Sequence, residues 1–529
     1  MIQSVLDQSY QNWELCLANG DPAVQKDFDA YTAQDKRIKV KQLESNLGIG
    51  GNTNAAIGMA GGEFIAFLDQ DDCLAPFALY ETVSAINQYP ETDLLFSDED
   101  YLTADSKRRY NPVFKPVFSI DYLRAANYML HFLVVRKELG DRLGWLRDGF
   151  EGAQDFDLIL RAVEQAHWIT HVPKVLYHWR ALPTSTAATQ DAKVYAHSAG
   201  VLAVEEHLKR CGLEADVKDG PYPGLVRVEY QVSSSPLISI IIPNYEHAED
   251  LSNCIDLILS RSTYQNYEIL IVENNSRSKE IFSLYEQLKK RDQRIRILEF
   301  SDTPFNFSEI NNYSVGQSSG DVLLFLNNDT RIINPDWLDR MLEYALRPDV
   351  GAVGAKLYFP NKLLQHGGVI IGMGGCAGHH FVGTPMDDPG YRYNLIVPQN
   401  LSAVTGACLM MRRKVFDEVG GFDTDYQLAF GDIDLCLKVR QKGYLITWTP
   451  FAELIHHESL TRGYEDTRIK ESRFFWEADL LKKRWPDIFA TGDPYYNPNL
   501  MLKKGYFSVQ AEICDQAPRV TKGLFPPKN

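Results

Sequence analysis

The stretch Asp321-Val-Leu-Leu-Phe-Leu-Asn-Asn-Asp-Thr330 decides the fold. Five apolar residues, Val322 to Leu326, run unbroken into three polar ones. A short uninterrupted apolar run predicts a strand buried on both faces, as in a parallel sheet. The triplet Asn327-Asn328-Asp329 then falls where that strand leaves the sheet, and open α/β sheets bind ligands at the carboxyl ends of their strands. A carboxylate fixed there can hold a hard divalent cation, which can in turn hold a diphosphate.

Working outward, the same pattern occurs earlier. Gly62-Glu-Phe-Ile-Ala-Phe-Leu-Asp-Gln-Asp-Asp72 ends in the triplet Asp69-Gln70-Asp71, and Asp71 stands where Asp329 stands. Tyr10-Gln-Asn-Trp-Glu-Leu-Cys-Leu17 likewise matches Tyr264-Gln-Asn-Tyr-Glu-Ile-Leu-Ile271 in residue type. The chain thus carries two copies of one apparatus. They differ in front: Leu237-Ile-Ser-Ile-Ile-Ile-Pro-Asn-Tyr245 reads as a strong strand opening the second copy. Nothing before Ser4 matches it, so the first sheet is expected to lack a member or to have it supplied from elsewhere.

Between these marks the pattern alternates strands with helices. Asn46-Leu-Gly-Ile-Gly-Gly-Asn-Thr-Asn54 is either a glycine-rich turn or a close approach to a ligand. The second copy has Asn311-Asn312 at that distance before its strand. Leu94-Leu-Phe-Ser-Asp-Glu-Asp100 and Pro173-Lys-Val-Leu-Tyr-His-Trp179 read as strands, and a helix is expected over 192–209. Asp155 and Asp157 open one predicted helix, Asp432 and Asp434 another, where capping alone would account for an acid. Gly, Pro and three consecutive serines mark 211–235 as a linker. The expected domains are therefore 1–210 and 236–495, followed by a tail over 496–529 whose Lys503, Lys504, Lys522 and Lys528 read as solvated. An amphipathic helix is expected from Asp466 to Trp485, with Phe474, Phe475, Trp476, Leu480 and Leu481 available for one face. Two stretches rich in glycine and histidine, Gln365-His-Gly-Gly368 and Gly378-His-His-Phe381, receive no role at this level.

Composition bounds the partners. A length of 529 residues suits two domains or more, and 45% hydrophobic with 23% charged content is that of a globular protein. A formal net charge of -16 argues against a nucleic-acid partner, because phosphate backbones need a basic face. Eight cysteines form no C-x-x-C pair, which fits free thiols in a reducing compartment. No apolar run reaches the roughly 20 residues that span a bilayer, and no basic-then-apolar leader opens the chain. The expected location is the cytoplasm, with peripheral contact at the inner face of the cell membrane allowed.

In order, Ile240-Ile-Ile-Pro-Asn-Tyr245, Val272-Glu-Asn-Asn-Ser276, Phe325-Leu-Asn-Asn-Asp329, Thr405-Gly-Ala-Cys-Leu409, Gly420-Gly-Phe-Asp423, Asp432-Ile-Asp-Leu435 and Ile455-His-His457 make the second copy similar to the family-2 glycosyltransferases of the GT-A fold. It most resembles bacterial members that add rhamnose or similar sugars to surface polysaccharides. The first copy resembles the same family from Ser4 to Trp179, through Phe67-Leu-Asp-Gln-Asp-Asp72, Phe150-Glu-Gly-Ala-Gln-Asp155 and Tyr177-His-Trp-Arg180. The resemblance implies an α/β fold: two Rossmann-like nucleotide-sugar-binding domains of GT-A type in tandem, the first without its N-terminal strand.

The implied activity is inverting transfer of a sugar from a nucleotide-diphosphate donor to a glycan or lipid-linked glycan acceptor. A divalent cation, Mn²⁺ or Mg²⁺, would stabilise the leaving diphosphate as a Lewis acid. Asp329 and His456 are the implied metal ligands, with Asp71 in the first copy. Asp432, and Asp155 in the first copy, are the implied bases toward the acceptor hydroxyl. Pro243, Asn244, Glu273, Asn275, Asn312, Asn327, Asn328 and Asp69 fall to the donor, and His178 to the first copy's strand end. Ala18-Asn19-Gly20 stands where the family has an acidic pair, with Asn19 opposite Glu273, so the first copy keeps its acids and loses its nucleotide end. The competing readings are a first domain that is only an acceptor-binding scaffold, and a nicotinamide dehydrogenase on Gly372-Met-Gly-Gly-Cys-Ala377.

Overall fold

The structure, a computed structural model, describes residues 1–181, 190–300, 304–457, 468–503, 509 and 517–524. Glu458, Asp466, Lys504, Cys514 and Lys528 lie outside the described residues. The chain divides into two compact units: 1–229 with 496–499 and 511–529, and 230–495 with 500–510.

The first unit contains β1 (Leu15–Asn19), β2 (Ile38–Gln42), β3 (Phe64–Ala66), β4 (Cys73–Leu74), β5 (Thr92–Leu102), β6 (Arg109–Val113), β7 (Leu133–Arg136) and β8 (Trp168–Arg180). β1 and β2 pair parallel as a two-stranded sheet of their own. The main sheet runs β8-β5-β7-β3, with β4 on β8 and β6 on β5. The glycine-rich run after Asn46 is mostly helix, Gly48–Ile57. The segment expected as a linker carries β9 (Ala215–Asp219) and β10 (Val226–Tyr230), which pair with each other.

The second unit opens with β11 (Ile238–Asn244), β12 (Tyr267–Glu273) and β13 (Ile295–Glu299). It continues with β14 (Val322–Leu326), β15 (Thr330–Ile332), β16 (Val350–Tyr358), β17 (Leu364–His366), β18 (Val369–Ile371), β19 (Ala377–His379), β20 (Gln399–Leu401), β21 (Cys408–Arg412) and β22 (Leu445–His456). Its ten-stranded sheet has the order β13-β12-β11-β14-β21-β16-β22-β15. β14 lies near the middle, parallel to β11 and antiparallel to β21, and all five of its residues are buried. A strand flanked by strands and covered on both faces needs apolar side chains at every position, not every second one. Val-Leu-Leu-Phe-Leu supplies them.

The two units differ where β11 sits. β11 pairs parallel with β12 on one side and β14 on the other. Among the described residues of the first unit β1 pairs only with β2, and β3 only with β7. The four apolar residues Leu15 to Ala18 of β1 are only half-buried, whereas every residue of β12 is buried. β3 shows the same loss beside β14: Phe64 is half-buried and Ala66 exposed.

The C-terminal segment returns to the first unit. β23 (Arg519–Lys522) pairs antiparallel with β8. Asn497 donates to Asp98 Oδ2 at 2.8 Å and Asn499 to the Pro173 carbonyl at 2.8 Å, all four residues being buried. The expected tail over 496–529 is thus partly a piece of the first unit's sheet. No single-segment periodicity could reveal a four-residue strand whose partner lies hundreds of residues upstream. Among the described residues no helix is long and apolar enough to cross a membrane.

Candidate active site

In the second unit four elements bring their ends together. β14 runs out of the sheet at Asn327, and Asn327 N–H donates to the Ala407 carbonyl at 3.0 Å, tying it to the turn before β21. Asp432 opens the helix Gly431–Gln441 and accepts from Gly406 N–H of the same turn at 2.7 Å, and from Ile433 N–H at 2.9 Å. β22 ends at His456, opposite Thr330. The antiparallel sense of β21 explains the convergence: its start must lie at the end where β14 finishes.

Asp329 and His456 meet here. His456 Nε2 lies 3.2 Å from Asp329 Oδ1, and both residues are buried. Asp329 Oδ1 is a buried oxygen with no hydrogen bond. On its other side His456 Nδ1 faces Gln365 Oε1 at 2.6 Å, and Asn327 Nδ2 donates toward Nε2 at 3.0 Å. An imidazole that donates from Nδ1 keeps its lone pair on Nε2. A ring that donates from Nδ1 to Gln365 turns an Nε2 lone pair toward the Asp329 oxygen. That donor set suits a divalent cation of the Mn²⁺, Mg²⁺ or Zn²⁺ class.

The expected donor residues form a network of their own. Asn328 Nδ2 donates to Asn244 Oδ1 at 2.7 Å, and Asn244 Nδ2 donates to the Tyr285 hydroxyl at 2.7 Å. The Tyr285 hydroxyl donates to Glu273 Oε2, and Glu273 Oε1 accepts from Ser276 N–H at 2.5 Å. Glu273, Asn244 and Asn328 are each 5% exposed or less. They fix the wall left by the ends of β11 and β12, where Pro243 lies in register with Val272. Asn275 follows in the left-handed region at φ 64°. Asn312 clasps the backbone of Phe422, donating to its carbonyl at 2.8 Å and accepting from its N–H at 2.9 Å.

Two corrections come from the helix ends. Asp434 is fully buried, accepts from Trp485 Nε1 at 2.9 Å and lies 3.7 Å from Lys438; burial raises its carboxyl pKa. On the helix Arg468–Arg484 the aromatic pair expected on the packed face is exposed, Phe475 by 65% and Trp476 by 54%. Its buried face carries Glu477, whose carboxylate accepts from Gln427, Leu428 and Ala429 N–H and so holds the loop leading to Asp432. Hydrophobic pattern alone could not show a glutamate as the inward residue.

The first unit assembles a related but altered set. Desolvation among neighbouring groups, then the Asp155 and Asp71 carboxylates, raise the Asp69 carboxyl, an effect that solvent screens because its side chain is 66% exposed. Burial pushes Asp155 up to about 6. Asp72 rises to about 6 by burial, although it accepts from the Tyr177 hydroxyl at 2.5 Å and Arg180 N–H at 2.7 Å. His178 does not take the place of His456. Cys73 pairs with His178 whereas Thr330 pairs with His456, so relative to the acid triplets the register differs by one residue. A one-residue shift turns a side chain to the opposite face of the sheet. His178 accordingly pairs with Asp100 at 2.6 Å. The histidine near this triplet is His131, just before β7, with Nε2 4.0 Å from Asp69. Asp69, Asp72 and His131 bring ligand atoms within 4.8 Å of one another, but both Asp72 oxygens already accept hydrogen bonds.

The dehydrogenase pattern fails on geometry. Met373–Gly375 is a single tight turn joining the antiparallel strands β18 and β19, with no helix after it to receive a pyrophosphate.

Both units are mixed α/β, each with a strand that runs into an acid-bearing triplet and a helix whose first turn carries an acid. The family model for glycosyl transferase family 2 matches residues 1–134 and 239–420, more than half of the chain, and the chain belongs to that family. It is 45% identical over 514 residues to an uncharacterized protein of Sinorhizobium fredii, covering 96% of this chain and 56% of that protein. It is 39% identical over 511 residues to an O-antigen biosynthesis protein of Myxococcus xanthus, covering 95% of this chain and 39% of that one. An N-acetylglucosaminyl-diphospho-decaprenol L-rhamnosyltransferase of Mycobacterium tuberculosis is 29% identical over 147 residues, which is 25% of this chain and 48% of the other. The chain spans about half the length of these relatives, or less.

Proposed function

We propose that the second unit moves a sugar from a nucleotide-diphosphate donor to a glycan or lipid-linked glycan acceptor, with inversion, in bacterial surface-polysaccharide synthesis. The observation that carries this reading is the approach of Asp329 Oδ1, a buried oxygen without a hydrogen bond, to His456 Nε2 at 3.2 Å, within the same end of the sheet as Asp432. Asp329 and His456 would hold a divalent cation. When bound, that cation supplies positive charge to the leaving diphosphate. Asp432 takes the acceptor's hydroxyl proton: each carboxylate oxygen accepts one backbone N–H and retains a second lone pair. Attack in line with the departing diphosphate inverts the sugar carbon. The network of Asn244, Glu273 and Asn328 holds the wall on the nucleotide side. The O-antigen and rhamnosyltransferase names of relatives support lipid-linked saccharide as the acceptor class.

The test is turnover by the full chain against a panel of nucleotide sugars with Mn²⁺ or Mg²⁺ and a lipid-diphosphate saccharide. Release of nucleoside diphosphate with a product of inverted anomeric configuration is expected. Retention of configuration overturns the in-line step, and no turnover of any nucleotide sugar overturns the reading.

A second reading concerns the first unit. Among the described residues β1 pairs only with β2, and His178 is taken up by Asp100, so this unit would be a support that presents acceptor.

A further inference from the structure

His456 needs its lone pair on Nε2 if it is to share a cation with Asp329, and a free neutral histidine prefers the opposite tautomer, with the proton on Nε2. The stretch Gln365-His-Gly-Gly368 decides the matter. Gln365 lies on β17, 5% exposed, and holds His456 at two points. Gln365 Nε2 donates to the His456 carbonyl at 3.3 Å, and Gln365 Oε1 faces His456 Nδ1 at 2.6 Å. The first contact orients the amide, because a carbonyl accepts only from the nitrogen end. The second then follows: Oε1 can only accept, so Nδ1 must carry the proton. Asn327 Nδ2, donating toward Nε2 at 3.0 Å, agrees with a lone pair there.

We infer that Gln365 is the positioning residue of this site: its two-point hold on His456 sets the tautomer and ring orientation that turn Nε2 toward Asp329 Oδ1. The inference rests on the metal reading above. Partners on the far nitrogen of a ligating histidine commonly govern metal affinity by about 10–100-fold. The neighbouring histidine is not interchangeable with His456, since His366 Nε2 accepts from Thr405 N–H at 3.4 Å and its Nδ1 meets His379 Nδ1 at 2.7 Å.

Two measurements on the full chain test this. The first is the tautomer of His456 in metal-free wild type, read from histidine ¹⁵N resonances and assigned by their loss in His456→Gln. Protonation at Nδ1 is expected; protonation at Nε2 overturns the inference whatever the metal does. The second is Mn²⁺ binding, with no nucleotide present, by electron paramagnetic resonance. Gln365→Leu should bind about 10–100-fold more weakly than wild type. Gln365→Glu keeps an acceptor for Nδ1–H and should recover most of that loss. Equal binding by wild type and Asp329→Ala overturns the metal reading. Loss in Asp329→Ala but wild-type binding by Gln365→Leu overturns the role of Gln365 alone. Should Gln365→Leu fail to fold by its melting curve, the wild-type tautomer and Gln365→Glu still decide.

Discussion

At the scale of single residues, Asp329 and Asp432 divide the work between binding and chemistry. Asp329 is the only carboxylate of its triplet and offers a buried oxygen without a hydrogen bond. Asp329→Ala should therefore remove metal-dependent nucleotide affinity, measured by calorimetry with Mn²⁺ present; unchanged affinity would count against its role. Asp432 is held by two backbone N–H groups that an asparagine can satisfy only in part. Asp432→Asn keeps the size and removes the base. Donor affinity should survive while transfer falls by about 10²–10⁴-fold, the usual worth of a general base. Transfer at the wild-type rate would remove Asp432 from the mechanism.

At the scale of elements, the first unit shows what a missing neighbour costs. β1 pairs only with β2, while its counterpart β12 lies between β11 and β13. Backbone groups on such an edge open without disrupting the main sheet, so amides of β1 should exchange with solvent at least about tenfold faster than those of β12. Equal protection would show that something covers that edge. The acids make a second prediction. Burial raises the Asp72 and Asp155 carboxyls to about 6 in the folded unit, above the usual unfolded value near 4. The folded state binds these protons more tightly, so it gains stability as pH falls from 8 through 6 toward 4. Calorimetry should show one transition rising between pH 8 and pH 5. Asp155→Asn should raise that transition at pH 8 by about 1–4 °C and flatten its pH dependence. A midpoint that falls on acidification, or fails to move, refutes the assignment.

At the scale of the whole molecule, each of the two units carries its own acid triplet and helix acid, and the comparison between them is direct. Asp71→Ala and Asp329→Ala should be assayed in the full chain on one acceptor. The expected outcome is that Asp329→Ala removes sugar addition and Asp71→Ala leaves most of it. If Asp71→Ala removes a separate addition that Asp329→Ala spares, both units are enzymes and the supporting role of the first is wrong.

Sequence by itself determined β14, its burial on both faces and the polar triplet that follows each of the two apolar runs. These are local properties: five consecutive apolar residues leave no exposed face, and a polar triplet must mark where the strand leaves the sheet. Only the tertiary structure decided which histidine answers which acid. His178 and His456 look equivalent in the chain, and a single residue of register separates them. Only the structure, too, gave Gln365 its hold on His456, turned Glu477 inward and laid β23 on β8. Each of these depends on contacts between segments far apart in the chain, set by strand register and packing, which no window of neighbouring residues contains.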